Sequence, residues 1–99
     1  MRLDKNDVKI ILDITENIFG KTKVYLFGSR LDDYKKGGDI DLFIVSEKKS
    51  NLLEKKIKAL SKLEHALYKP IDIVLHKDFD REIEKEILKK SVLLCQLQN

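Results

Sequence analysis

Two carboxylates, Asp39 and Asp41, open the apolar segment that runs on to Val45. In a strand successive side chains alternate between faces, so both carboxylates are predicted to lie on one face, roughly 7 Å apart. Two ionised carboxylates at that spacing repel by about 2 kcal/mol at an effective dielectric constant of about 20. A divalent cation between them turns the repulsion into attraction, and oxygen ligands of this kind suit Mg²⁺. The spacing therefore predicts a metal site.

Upstream, another apolar strand ends at Gly28 and Ser29, and nine residues separate Ser29 from Asp39. Glycine lets the backbone turn and approach a ligand closely, and a helix beginning at Ser29 would offer N–H groups and a hydroxyl to a phosphate. Ser29 is alternatively a helix N-cap partnered by Asp32, a role that is compatible with anion binding. Arg30 is predicted either to contact phosphate oxygens or to form a weak surface ion pair. Metal ligands beside a phosphate cradle indicate chemistry on a nucleoside triphosphate.

A third acidic residue, Asp72, interrupts a later apolar strand. An ionised carboxylate within such a strand is costly unless it is paired or metal-bound. One interpretation is a structural ion pair with Lys23 or Arg30, and the other is a place in the metal site. Asp39 also has an alternative explanation as a turn residue after two glycines, whereas Asp41 does not, because aspartate is depleted inside strands.

The combination of Gly28–Ser29, nine intervening residues and Asp39-x-Asp41 resembles the signature of the polymerase-β-type nucleotidyltransferases. The chain is most similar to the minimal nucleotidyltransferases of bacteria and archaea, which are often paired with a helical HEPN-domain toxin. The resemblance extends over about residues 8–94. It implies a small mixed β-sheet with helices packed on it.

The resemblance also implies roles for particular residues. The catalytic residues, which are also the metal ligands, would be three carboxylates: Asp39, Asp41 and Asp72. The nucleotide-binding residues would be Gly28, Ser29 and Arg30. Asp72 would help to hold the catalytic ion and would take a proton from the attacking hydroxyl.

The implied function is Mg²⁺-dependent transfer of AMP from ATP to a hydroxyl acceptor. The acceptor suggested by the resemblance is a tyrosine of a HEPN toxin partner, which AMP addition would silence, making this chain the antitoxin. One alternative is a non-catalytic antitoxin that neutralises its partner by covering it. Another is a nucleotidyltransferase that acts on RNA or on a small molecule.

Composition narrows the class of protein further. The 42% hydrophobic and 37% charged residues are typical of a soluble globular chain, and residues 1–99 are predicted to form one minimal nucleotidyltransferase domain. The sequence contains no apolar run of ~20 residues and no signal-peptide core, so membrane association is not expected. Cys95 is the single cysteine, which indicates a reducing cytoplasm. The net charge of +3 does not by itself indicate nucleic-acid binding.

Hydrophobic periodicity predicts the elements that position these residues. The fold class is α/β, with helices and strands at 4–19 (helix), 23–27 (strand), 39–45 (strand), 50–68 (helix), 71–76 (strand), from 78 or 80 (helix) and 91–95 (a short closing strand). The acidic residues are expected on one exposed face of the sheet, with the helices behind it.

Several burial predictions accompany these elements. The second helix is predicted to begin with a capping box at Asn51 and Glu54 and to bury an apolar stripe: Leu53, Ile57, Leu60, Leu63 and Leu67. The last helix is predicted to bury Ile83, Ile87 and Leu88, and Cys95 is predicted to be a core residue. The lysines of the second helix indicate a solvated face, with an acidic partner surface as the next interpretation. His65 and His76 are not spaced as zinc ligands and are predicted to lie on a helix surface and at a strand end.

Overall fold

The computed structural model describes residues 3–28 and 40–95, which form three helices and four strands. In chain order these are α1 (Lys5–Phe19), β1 (Thr22–Phe27), β2 (Ile40–Ser46), α2 (Leu52–Leu67), β3 (Ile71–Leu75), α3 (Glu82–Lys89) and β4 (Val92–Leu93). The predicted elements are therefore present in the predicted order. Both α2 and α3 begin later than the periodicity indicated.

The four strands form one mixed sheet in the order β3-β2-β1-β4. β1 pairs antiparallel with β2 and with β4, whereas β2 and β3 are parallel. A parallel pair needs a crossover connection, and α2 supplies it. The crossover places β3 at one edge of the sheet, next to the helix that precedes it.

The main core lies between one face of the sheet and the helices α1 and α2. The inward residues of β2 alternate along the strand, and Ile40, Leu42 and Ile44 have no exposed surface. The helices contribute Ile11, Phe19, Ala59 and Leu63 to the same cluster. α1 is held at its start by Asp4, whose Oδ1 accepts a hydrogen bond of 2.7 Å from the Asp7 N–H, the bond typical of an N-cap.

The opposite face of the sheet is covered in part by α3. Phe43 points to this face and is fully buried; its ring lies 5.9 Å from that of Tyr25 and 6.3 Å from that of His76. His76 in turn contacts Glu84 of α3. Because Asp41 and Asp72 also point to this face, the helices do not all lie behind the acidic residues. The helices α1 and α2 lie behind the acidic residues, whereas α3 lies on the same face of the sheet as Asp41 and Asp72.

Some burial predictions for α2 are wrong. Leu53 and Ile57 are 69% and 60% exposed, whereas Leu63 and Leu67 of the predicted stripe are buried, together with Ala59. The buried face of α2 therefore overlaps the predicted stripe only in its carboxyl-terminal half. Asn51 adopts a left-handed conformation with no side-chain capping bond, so the predicted capping box does not form.

Two predictions near the carboxyl-terminal end are also wrong. Ile83 is 50% exposed, while Glu84 is fully buried together with Ile87. Cys95 is exposed, because it follows β4 beyond the last bond to the sheet, from the Leu94 N–H to the Val24 carbonyl.

Candidate functional site

The strand register places two of the predicted carboxylates side by side. Asp41 and Asp72 are register partners in the parallel pair of β2 and β3, each the second residue of its strand. Neighbouring strands lie about 4.8 Å apart, and register partners point to the same face. Asp72 is exposed and Asp41 is half-buried. Two carboxylates about 5 Å apart repel by about 1 to 3 kcal/mol, depending on how much water screens them.

Gly28 packs directly against the Asp41 carboxylate. It follows the end of β1, where Phe27 is the register partner of Asp41. Its φ of +80° is a conformation that side chains disfavour. A Cβ at this position would overlap Oδ2 of Asp41 and lie 3.1 Å from its Cγ. Glycine is therefore needed here both for the turn and for the close approach of backbone to carboxylate.

These three residues lie at one end of the sheet, where β1 ends and β2 and β3 begin. Asp39, Ser29 and Arg30 lie outside the described residues. Among residues 3–28 and 40–95 no group of three His, Cys, Asp or Glu side chains is placed to hold a metal, so two carboxylates form the described part of the site. In the same ranges Asp72 forms no ion pair with Lys23, one of its two predicted structural partners; the other, Arg30, is not among the described residues.

The residues present fit a hard divalent cation. The donors at the site are carboxylate oxygens, which suit Mg²⁺, and their mutual repulsion is relieved when a cation lies between them. Because Gly28 has no Cβ, its backbone lies close to the Asp41 carboxylate. A phosphate bound to the same cation would meet backbone there rather than a side chain.

A second polar cluster lies at the opposite end of the sheet and was missed by sequence analysis. The fully buried Glu84 accepts hydrogen bonds from the N–H groups of Lys77 and Asp78, at 2.8 and 3.0 Å. Its carboxylate also accepts from Nδ1 of His76 at 2.7 Å and from Arg81 at 3.1 Å. The Glu84 carboxylate thus ties α3 to the backbone of the segment that follows β3.

The electrostatics of Glu84 follow from these contacts. Burial on its own raises the pKa of this carboxyl, but the hydrogen bonds from Asp78, His76 and Lys77 outweigh it and lower the pKa from 4.5 to about 2. Glu84 is therefore ionised at neutral pH, and the cluster is structural. A glutamate in a charged helix looks like a surface residue, so only its position three residues before the buried Ile87 could have indicated burial.

The predicted positions of the two histidines, at a strand end and on a helix surface, are confirmed. His76 follows β3 and stacks on Phe79, with ring centroids 3.9 Å apart, while its Nδ1 contacts Glu84. His65 is exposed on α2. Neither residue belongs to a metal-ligand group within the described part of the chain.

The fold and the paired carboxylates beside a glycine turn are the architecture of a nucleotidyltransferase of the polymerase-β type. Residues 6–99 match the family model described as "Polymerase beta, Nucleotidyltransferase". The chain belongs to this family, as the sequence motif predicted. No curated protein sequence matches the chain.

Solved structures show the same fold. A chain in the structure of a tri-AMPylated Shewanella oneidensis HEPN toxin in complex with MNT antitoxin aligns with a TM-score of 0.71 and 18% identity, over 96% of this chain and 74% of that one. A chain in a mutant of the toxin–antitoxin MntA–HpeT aligns at 0.74 and 19%, over 97% and 76%. A toxin–antitoxin structure with AMP-PNP aligns at 0.72 and 21%, over 97% and 76%. At these identities the likeness shows the fold.

No helix among the described residues has both the length and the apolar character needed to cross a membrane.

Proposed function

We propose that this chain is a Mg²⁺-dependent nucleotidyltransferase that moves AMP from ATP to a tyrosine hydroxyl of a HEPN toxin partner and thereby acts as its antitoxin. The main observation in support is the strand register that places Asp41 beside Asp72, with Gly28 packed against the Asp41 carboxylate. Family membership supports nucleotidyl transfer as the reaction. The AMPylated toxin and the AMP-PNP complex among the structural neighbours support the acceptor and the nucleotide. We further propose that residues 1–99 act as one domain in the cytoplasm.

The proposed roles follow the sequence motif. Three carboxylates would hold Mg²⁺ and carry catalysis: Asp39, Asp41 and Asp72. Three residues would bind the triphosphate: Gly28, Ser29 and Arg30. When bound, the cation supplies positive charge that neutralises the phosphate oxygens and the departing pyrophosphate.

Asp72 is best placed among the described residues to receive the acceptor. It is exposed on the edge strand, whereas Asp41 is half-buried between β1 and β3. In the proposed step the acceptor oxygen forms a bond to the α-phosphorus, the bond to pyrophosphate breaks, and the hydroxyl proton passes to Asp72. Gly28 follows β1, on the side of Asp41 away from Asp72, and its backbone packs against the Asp41 carboxylate there.

The test is the intact mass of the toxin partner after incubation with this chain, ATP and Mg²⁺. We expect the partner to gain AMP, with a small amount of the chain modifying an excess of partner. Asp41→Asn should abolish the gain. Asp80→Asn, an exposed aspartate beyond the opposite end of the sheet, should preserve it. An unmodified partner, or full transfer by Asp41→Asn, would refute the proposal.

A non-catalytic antitoxin is the second candidate, favoured by the exposed Leu53 and Ile57 on α2. A blocking protein would neutralise its partner one-to-one and without ATP. Titrating toxin activity with and without ATP separates the two functions.

A further inference from the structure

The helix α3 lies on the face of the sheet that carries the paired carboxylates and runs from one end of that face to the other. Near its start, Glu84 contacts His76, which follows β3. After its end the chain enters β4, where Val92 is the register partner of Leu26, close to the end of β1. The eight residues of the helix span about 12 Å, which is comparable with the length of a strand such as β3. The helix therefore ends at the end of the sheet where the carboxylates lie.

Lys90 follows the last residue of α3, and the strand register brings it level with Gly28. β1 and β4 are antiparallel, and their ladder ends at the pair of Leu26 and Val92. Two further positions along each chain lead to Gly28 and to Lys90. Neighbouring strands lie about 4.8 Å apart, whereas a lysine side chain extends about 6 Å on its flexible four-carbon stem. The Lys90 ammonium can therefore reach a group that is bound at Gly28.

The backbone of Lys90 is fixed, whereas its side chain is exposed and is not used by the described fold. The Lys90 N–H donates a hydrogen bond of 3.1 Å to the carbonyl of Ile87, which is itself buried. Among the residues that the structure describes, the Lys90 side chain forms no hydrogen bond or ion pair. The neighbouring Lys89 differs, because its ammonium lies 3.5 Å from the Glu86 carboxylate. The Lys90 ammonium is thus available to an anionic ligand.

The position of Lys90 relative to the carboxylates indicates which part of a nucleotide it would contact. The sheet order places β4 beyond β1, so Lys90 lies on the side of Gly28 away from Asp41 and Asp72. The reacting α-phosphate must lie near the carboxylates, and the β- and γ-phosphates then extend towards Gly28 and β4. A triphosphate carries more negative charge than one divalent cation neutralises, so a further cation stabilises its terminal phosphates.

We propose that Lys90 is a further nucleotide-binding residue, whose ammonium contacts the β- and γ-phosphates of ATP bound at Gly28. The inference rests on the proposed function for the identity of the nucleotide, and it adds a cation from outside the sequence motif. Another lysine at this end of the sheet, Lys69, precedes β3 and so lies on the opposite side of the carboxylates.

The test is equilibrium binding of nucleotides to the purified chain in the presence of Mg²⁺. Lys90→Ala should weaken the binding of ATP about tenfold, as expected for the loss of one charge-assisted hydrogen bond. Inorganic tripolyphosphate should lose affinity by a similar factor, whereas AMP, which has no β- or γ-phosphate, should bind as it does to the parent. Lys90→Arg should bind ATP within about threefold of the parent, because it keeps a cation on a long side chain.

Lys85→Ala is the matched control, because Lys85 is an exposed lysine more than one turn earlier in the same helix. It should bind ATP as the parent does. Because Lys85 and Lys90 are both exposed, circular dichroism and thermal melting of the variants should match those of the parent.

Binding of ATP by Lys90→Ala at parental affinity would overturn the inference. So would an equal loss in Lys85→Ala, or an equal loss for AMP. The measurement is separate from transfer of AMP. A chain that binds ATP with the help of Lys90 but leaves the toxin partner unmodified would support this inference and refute the proposed function.

Discussion

Alanine at Gly28 tests the close approach of backbone to carboxylate. Gly20 provides the matched control, because both glycines have a φ of +80°. Alanine at either position costs on the order of 1 to 3 kcal/mol in backbone strain. At Gly20 the new Cβ meets nothing within 4 Å, whereas at Gly28 it overlaps the Asp41 carboxylate. The difference between the variants therefore isolates the contact with Asp41.

The size of the effect on activity follows from how far Asp41 must move. Ordinary contact between heavy atoms needs about 3.5 Å, so the carboxylate must shift by about 1 Å. A displacement of that size at a reacting centre costs about 100-fold in rate. We therefore expect Gly28→Ala to lose about 100-fold in AMP transfer and Gly20→Ala to keep it, while both lose stability and Gly28→Ala loses more.

The assay is transfer of labelled AMP to the toxin partner, with urea unfolding of each variant as the measure of stability. Wild-type transfer by Gly28→Ala would refute the placement of the glycine against a working carboxylate. Equal loss of transfer in both variants would attribute the effect to general destabilisation instead.

Three further predictions concern stability. Asp72→Asn should abolish transfer yet raise the free energy of unfolding in metal-free urea titrations by about 1 kcal/mol, because it removes carboxylate repulsion; a destabilised variant would contradict the proposed pairing. Glu84→Gln should lose about 3 kcal/mol at pH 7, since the Glu84 pKa falls from 4.5 to about 2. Because the folded-state pKa is the lower one, this contribution is complete above pH 4.5 and fades towards pH 2; Glu86→Gln, which is exposed, should show neither effect in unfolding curves across pH. Tyr68→Gly should relieve the left-handed backbone conformation at residue 68 and raise the free energy of unfolding by up to about 1 kcal/mol in thermal or urea unfolding.

Local pattern was sufficient to predict the elements and the family to which the motif belongs. Alternation of apolar residues in β2 separates the buried Ile40 and Ile44 from Asp41, and the structure confirms that separation. The cost of burying an unpaired charge singled out Asp72 in the sequence, but this carboxylate is exposed in the structure, so that cost does not arise. The roles of all six predicted site residues stay predictions, and three of them, Ser29, Arg30 and Asp39, lie outside the described ranges.

Helix faces were predicted less well, because periodicity shows which residues share a face but not which face meets the sheet. On α2 the apolar residues extend beyond the buried face, so Leu53 and Ile57 were assigned to the core. On α3 Glu84 is buried together with Ile87, and its burial depends on hydrogen-bond donors from four other positions in the chain. Neither outcome can be read from one helix alone.

Sequence by itself determined the order of the elements, the family motif and the residue types that can hold a divalent cation, because these depend on neighbours a few positions apart. The tertiary structure alone decided that Asp41 lies beside Asp72 and that Gly28 packs against Asp41. It also decided that Leu53 and Ile57 of α2 are exposed. The reason is physical: strand register and helix rotation are set by packing between segments that lie far apart in the chain.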